Sequence, residues 1–395
     1  MRLLLDSAPA DTQPDAADRF AVLHALLNDA QGLAPEYAPY MASHLPMALC
    51  ALYGLGAEPA QMRRFFAHDA AHLAVAQSEP RVVGSNPDRD RDTDTDTDTD
   101  TDTDTDTDTD THWLALRGRL DAFDRLRAHF GALIERVGRD ACLRAVLPEL
   151  LPGIAGVAFH GAIRTAHAVE AGHDAELASA LAYWAARWQL LAPPADTATV
   201  FATPAAWLDA LDARLRERAP GWRPSGRLIT AKMLQASGTA AYAELGGAAV
   251  TGPTTSVLAG LAHAAAQRYA ATRNFTVLHL ATAARALDVL LPWLRAGAPV
   301  PAPVWHAVAA ASLASGLAWS NGAAPADADA HAGANANANA NANANAGDLD
   351  WPQLRRLACD SDDDHVIKLV HAMDQLQRRM PAPVWLAAAK RAVRG

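Results

Sequence analysis

Apolar residues return every three or four positions along nearly the whole chain, in a background of Ala, Leu, Arg and Glu, which is the spacing that lines one face of an α-helix. Two-residue alternation, the mark of a half-buried strand, is nearly absent. From Asp18 to Ala30 the side chains of Phe20, Leu23, Leu26 and Leu27 share a face, with Asp18 as the expected N-cap and Asn28-Asp29 as the stop. His44 to Gly54 repeats the pattern with Leu45, Leu49 and Leu52 and meets Gly54 and Gly56 as helix-ending residues. The same spacing predicts helices over 60–76, 113–136, 139–150, 153–170, 174–192, 204–217, 227–236, 256–271, 274–295, 301–318, 351–358, 361–377 and 382–393. Pro46, Pro148, Pro152, Pro204, Pro292 and Pro381 are read as edge residues, where a missing N–H matters least. No repeat of roughly 30 to 45 residues recurs, which disfavours a regular solenoid. The expected fold is all-α, a single large helical domain of packed helix pairs over 1–395.

Two segments break the pattern. The Thr-Asp repeat over 87–111 and the Ala-Asn repeat over 324–347 offer no apolar face able to offset chain entropy, and alternating aspartates repel one another. Both are expected to be disordered low-complexity loops inserted between helices.

Half of the 395 residues are hydrophobic, enough for one large core. The net charge of −10 is local, because ten aspartates fall between Asp92 and Asp110 and the remainder is close to neutral. Without a Lys/Arg-rich stretch the chain lacks the clustered cations that phosphate neutralisation needs, so no nucleic acid is expected as a partner. Cys50, Cys142 and Cys359 are far apart and form no CxxC pair, which points away from disulfides and thiolate zinc and toward a reducing, cytoplasmic setting. The first residues, MRLLLDSAPADTQPD, hold too short an apolar run for an export signal, and Arg, His or Asp interrupts every alanine-rich stretch, so no membrane span is expected.

The chain has no G-x-G-x-x-G, no G-x-x-x-x-G-K-[ST], no G-x-S-x-G and no H-E-x-x-H. What stands out is histidine, 15 copies, several inside apolar helical stretches where an imidazole needs a partner. His44 opens an apolar helix. His160, Arg164 and His167 at i, i+4 and i+7 would line one face, His279 follows Phe275-Thr276-Val277-Leu278, and His365 and Lys368 stand three apart. Taken singly, such a histidine is more often a hydrogen-bonded core or edge residue than a ligand. His24, His68, His72, His129, His173, His263 and His331 are read that way, with His306 and His371 intermediate. His365 reads equally well as a first-turn residue beside the Asp362-Asp363-Asp364 cap, and Lys368 as a solvated lysine paired with one of those aspartates.

Four blocks in order resemble the questin oxidase-like family. Ser43-His44-Leu45-Pro46-Met47-Ala48-Leu49, followed by Leu55-Gly56-Ala57, resembles its S/N-H-L-P-M-x-L block. Phe159-His160-Gly161-Ala162-Ile163-Arg164, with Ala180-Leu181-Ala182-Tyr183-Trp184, resembles its F-H-G-x-I-R block and A-L-A-Y-W sequel. Leu278-His279 with Thr282 resembles L-H-x-x-T, and Asp363-Asp364-His365-Val366-Ile367-Lys368 resembles D-x-H-x-x-K. The blocks run from Ser43 to Lys368, and neither low-complexity tract interrupts one.

The resemblance implies an all-helical oxidoreductase whose namesakes open an anthraquinone ring in a Baeyer–Villiger type oxidation with O2. It implies a non-haem Fe(II) held by His44, His160, His279 and His365 and by a carboxylated Lys368. Four neutral imidazoles and one carbamate oxygen suit that ion, and a carbamate forms only on an unprotonated amine, so burial and a nearby cation are expected around Lys368. The partner implied is a small aromatic compound, with Phe159, Tyr183, Trp184 and Trp305 as candidate pocket walls. Arg164 has two open roles, holding a phenolate or superoxide charge or forming a buried salt bridge with an unidentified acid. His167 is expected to orient His160 or Arg164. A second reading is an NADPH-requiring Baeyer–Villiger oxidase without iron, for which the chain shows no dinucleotide motif. A third is a non-catalytic helical interaction scaffold whose low-complexity loops bind partners.

Overall fold

The computed structural model describes residues 13–78, 112–294, 300–319 and 349–394. The Thr-Asp and Ala-Asn tracts, and His331, lie outside the described residues. Within them the protein is all-α, with sixteen helices: α1 Gln13–Ala30, α2 Leu45–Leu55, α3 Pro59–Ser78, α4 Phe123–Val137, α5 Arg139–Leu150, α6 His160–Ala171, α7 Asp174–Ala186, α8 Pro204–Arg218, α9 Ile229–Ser237, α10 Ala240–Leu245, α11 Thr254–Thr272, α12 Phe275–Leu290, α13 Ala302–Ala314, α14 Trp351–Cys359, α15 Asp364–Arg379 and α16 Pro383–Val393. Strand is confined to an antiparallel hairpin, β1 Glu36–Ala38 with β2 Met41–Ala42, and one short parallel pair, β3 Val200–Phe201 with β4 Ala249–Val250.

Local chemistry sets several boundaries. Thr203 caps α8, Asn274 accepts from Val277 N–H to cap α12, and Asp350 and Gln353 form a capping box on α14. The predicted Asp18 cap fails because α1 begins at Gln13. Pro148 lies inside α5 rather than at its edge. The expected helix over 113–136 is split into 3₁₀ turns at His112–Leu116 and Leu120–Ala122 before α4, with Gly118 in the left-handed region between them.

The largest departure is at 153–170. The chain runs through 3₁₀ turns from Leu151 to Phe159, and α6 starts only at His160. Tertiary contact overrides helix propensity here: Ile154 bridges to Gln189, and a side chain at Gly156 would collide with the Arg187 carbonyl, so 153–156 lies flat against the strand-like segment after α7. That same segment ends α7 at Ala186 instead of the predicted 192.

Buried apolar side chains form one contiguous cluster. Its centre is α12, where 14 of 16 residues are buried. With the turn that follows, Phe275–Trp293 is long and apolar enough to cross a membrane by length and composition, at mean hydropathy 1.3, but it is 78% buried and carries His279, Arg285 and Asp288, as a core helix does. Four helices touch in a closed ring around this centre: α2 on α6, α6 on α12, α12 on α15, and α15 back on α2. Gly54 permits the last contact, since a Cβ there would sit 2.4 Å from His371 Nε2. Cys50, Cys142 and Cys359 are buried free thiols.

Candidate metal centre

Each helix of the ring contributes one histidine. His44 precedes the first residue of α2, His160 opens α6, His279 is one turn into α12 and His365 is the second residue of α15. Their rings close a quadrilateral that follows the helix ring, with centroid separations of 4.7 Å for His44 to His160, 5.0 Å for His160 to His279, 5.7 Å for His279 to His365 and 4.7 Å for His365 to His44. The His44 and His160 Nε2 atoms are 2.7 Å apart. Phe275 packs against both His279 and His365, at 4.7 and 4.6 Å.

All four rings are held by the other nitrogen. His160 Nδ1 donates to the Val157 carbonyl and His279 Nδ1 to the Phe275 carbonyl at 2.8 Å, while His44 Nδ1 and His365 Nδ1 meet one carboxylate oxygen, Asp364 Oδ1, at 2.8 and 3.0 Å. Metal-binding histidines are oriented in this way, with Nδ1–H on a carbonyl or carboxylate and Nε2 left as the donor. His365 Nε2 is buried and makes no hydrogen bond. The hold on His160 is unusual. Val157, Ala158 and Phe159 have φ of 42°, 53° and 70°, three consecutive non-glycine residues in the left-handed region. Each costs about 1–2 kcal/mol, and the turn they make delivers the Val157 carbonyl to His160.

Electrostatics favour neutral rings. Burial drives His44 down to about 4 against the opposing pull of Asp364, and burial holds His160 and His279 well below the ordinary imidazole range, with neighbouring cationic groups adding to the effect. His365 differs: burial opposes its charged form, but Asp364 and Asp363 outweigh it and raise its pKa. Asp364 lies well below the usual carboxylate range despite burial, because His365, His44 and Lys368 surround it.

Lys368 is buried, 4% exposed, and its charge reaches all four rings. Its Nζ lies 2.9 Å from Asp364 Oδ1. The expected neighbouring cation is thus replaced by an anion, and the solvated-lysine alternative fails on burial while keeping its aspartate. Asp363 caps α15 through the His365 and Val366 N–H groups. Sequence reasoning paired Lys368 with one of the three cap aspartates but missed that the same aspartate, Asp364, also meets His44 and His365.

Arg164 and His167 share the α6 stripe with His160 but face other partners. Arg164 forms a buried two-pronged ion pair with Glu176 of α7, at 2.6 and 2.9 Å, and also lines a cleft beside Ser43 and Pro46. His167 packs against His371 of α15 at 5.4 Å, near the Arg285–Glu170 ion pair, and its Nδ1 has no hydrogen bond. Of the candidate walls, Phe159, Tyr183 and Trp184 are fully buried, Tyr183 donating to Glu36, while Trp305 stands apart beside Trp207.

In the comparisons, a family model described as questin oxidase-like matches residues 41–373. The chain matches none of the curated proteins compared with it.

Proposed function

The chain belongs to the questin oxidase-like family, and from that premise we propose that it is an oxygenase, using O2 and a non-haem Fe(II) held by His44, His160, His279, His365 and a carboxylated Lys368 to oxidise an aromatic, polyketide-like compound. Family membership by itself suggests the coarser statement, an oxidoreductase acting on polyketide-like small molecules. The observation that carries the finer reading is the closed quartet of imidazoles whose Nδ1 atoms are all engaged by oxygen, which leaves four Nε2 donors on adjacent helices. That donor set, with one anionic oxygen, fits a ferrous ion. When bound, the ion supplies the one-electron chemistry toward dioxygen that no side chain here provides.

The chain's own residues prepare the site. Burial favours neutral His44, His160 and His279 before any ion arrives, whereas Asp364 and Asp363 favour the proton on His365, which competes with an ion there. His44, His160 and His365 stand at the first residues of α2, α6 and α15, whose partially positive ends favour an anionic group between them. Carboxylation of Lys368 starts from the ammonium paired with Asp364 Oδ1 at 2.9 Å: one proton leaves to solvent to free the amine, and formation of the N–C bond with CO2 releases a second to solvent. Phe275 packs its ring against both His279 and His365 and holds their orientation.

Anaerobic purification followed by metal quantification tests the reading. Iron near one equivalent, lost in His279→Ala, together with oxygen uptake on aromatic substrates without NADPH, supports it. Folded protein that takes up no iron, or that consumes oxygen only with NADPH, defeats it. The mass of the Lys368 peptide, with or without an added carboxyl group, tests the carbamate separately.

A further inference from the structure

Outside this centre, α3 carries His68-Asp69-Ala70-Ala71-His72, two histidines at i and i+4 with a carboxylate between. The helical spacing puts both imidazoles on one face, and their rings meet edge to face at 5.0 Å. His72 Nδ1 lies 2.9 Å from the His68 carbonyl, which can only accept, so Nδ1 carries the proton and Nε2 is left as the free donor atom. His68 Nδ1 is buried and makes no hydrogen bond. Asp69 is half-buried and makes no hydrogen bond or ion pair among the described residues; burial first, then the Asp364 carboxylate, pushes it up to about 6 against the opposing pull of His68, His72 and Lys368. One ligand atom from each of the three residues lies within 4.8 Å of the others.

The geometry points to a second metal site, a divalent cation of the zinc class held by His68, Asp69 and His72. Three features call for a cation together: an imidazole nitrogen buried without a partner, a second imidazole already fixed in the ligating tautomer, and a half-buried carboxylate with a ligand atom within 4.8 Å of both. Two imidazoles and one carboxylate select zinc, cobalt(II) or nickel(II) over calcium or magnesium. His72 is exposed, so solvent supplies the remaining positions. The site is built by one helix and does not depend on what the four-histidine centre holds.

Total Zn(II) bound by the full chain after gel filtration is measured for the wild type, His72→Ala and Asp69→Asn, each checked for helicity by circular dichroism. His72→Ala binds one equivalent fewer than the wild type, and Asp69→Asn retains that equivalent only at raised Zn(II). Carbethoxylation of His72 in the wild type, followed by peptide mass spectrometry, slows when Zn(II) is present. Equal zinc in the wild type and His72→Ala, or labelling of His72 unaffected by Zn(II), overturns the assignment. Because His72 is exposed and the labelling uses the unmutated chain, a folding failure in one variant does not decide the matter.

Discussion

At the scale of the residue, a single oxygen of Asp364 lies within 3.0 Å of nitrogen atoms of His44, His365 and Lys368. Carboxylates behind metal-binding histidines typically contribute 10–100-fold in affinity. Asp364→Asn keeps the shape, weakens the hold on two rings at once and removes the lysine's partner. Iron affinity measured by chelator competition is expected to fall by about 100-fold, the upper end of that range, with helicity unchanged by circular dichroism. The four histidines were singled out by the family-like blocks in which they fall; apolar surroundings alone leave each more often a core residue than a ligand, and His365 follows three aspartates rather than an apolar run. Asp364 was not, because three aspartates before a helix read as a cap, and Asp363 does fill that role. The role of His167 was not legible either. Helix spacing fixes only the stripe that it shares with His160, whereas its contact is with His371 on another helix.

Most helices were legible at the scale of the element, since α2, α5, α8, α12, α14 and α16 lie within a few residues of where hydrophobic spacing puts them. The two largest failures share one physical source. Between Leu151 and Phe159, and again after Ala186, backbone-to-backbone contact with a distant segment replaces local helix formation, and no local pattern records it. Between α6 and α7 the Arg164–Glu176 pair carries the contact, buried on both sides. Removing one partner of such a pair costs about 3–5 kcal/mol, whereas replacing both by apolar residues of similar volume is often neutral. Glu176→Gln is expected to lower stability by about that amount in urea titrations, and Arg164→Met with Glu176→Leu to restore it. The double variant also separates the two roles open to Arg164: retained iron with lost turnover would assign it to the reaction, and retained turnover to the fold.

On the scale of the whole molecule, the buried histidines make the metal-free protein sensitive to acid. His44 at about 4, and His160, His167, His279 and His371, all held well below their ordinary value by burial, stay neutral in the fold but protonate once unfolded. The unfolded chain therefore binds more protons below about pH 6.5, and stability falls as pH drops through that point toward 4. His44 alone accounts for about 3 kcal/mol over this interval. Asp364, held well below its ordinary value, keeps its contribution until lower pH. Asp69 and Asp212, raised to about 6, pull the other way, because the fold holds their protons more tightly than the unfolded chain does. His365, raised, contributes stability at low pH that is lost as pH rises through its folded value. The net expectation is a urea midpoint that declines from pH 7 to pH 4.5, steeply in metal-free protein and less so in iron-loaded protein, where the quartet is no longer free to titrate.

On the proposed reading, the backward-wound residues before His160 make that imidazole a reporter of occupancy. Val157, Ala158 and Phe159 sit together about 3–6 kcal/mol uphill of relaxed backbone, so the segment is a wound spring whose catch is the imidazole it delivers. Anchoring that imidazole sets the catch, and freeing it lets the coil breathe. Amide deuterium uptake at 157–161 is therefore expected to be fast in the stripped protein and slow in the charged one, giving a clock for cofactor acquisition that needs no substrate.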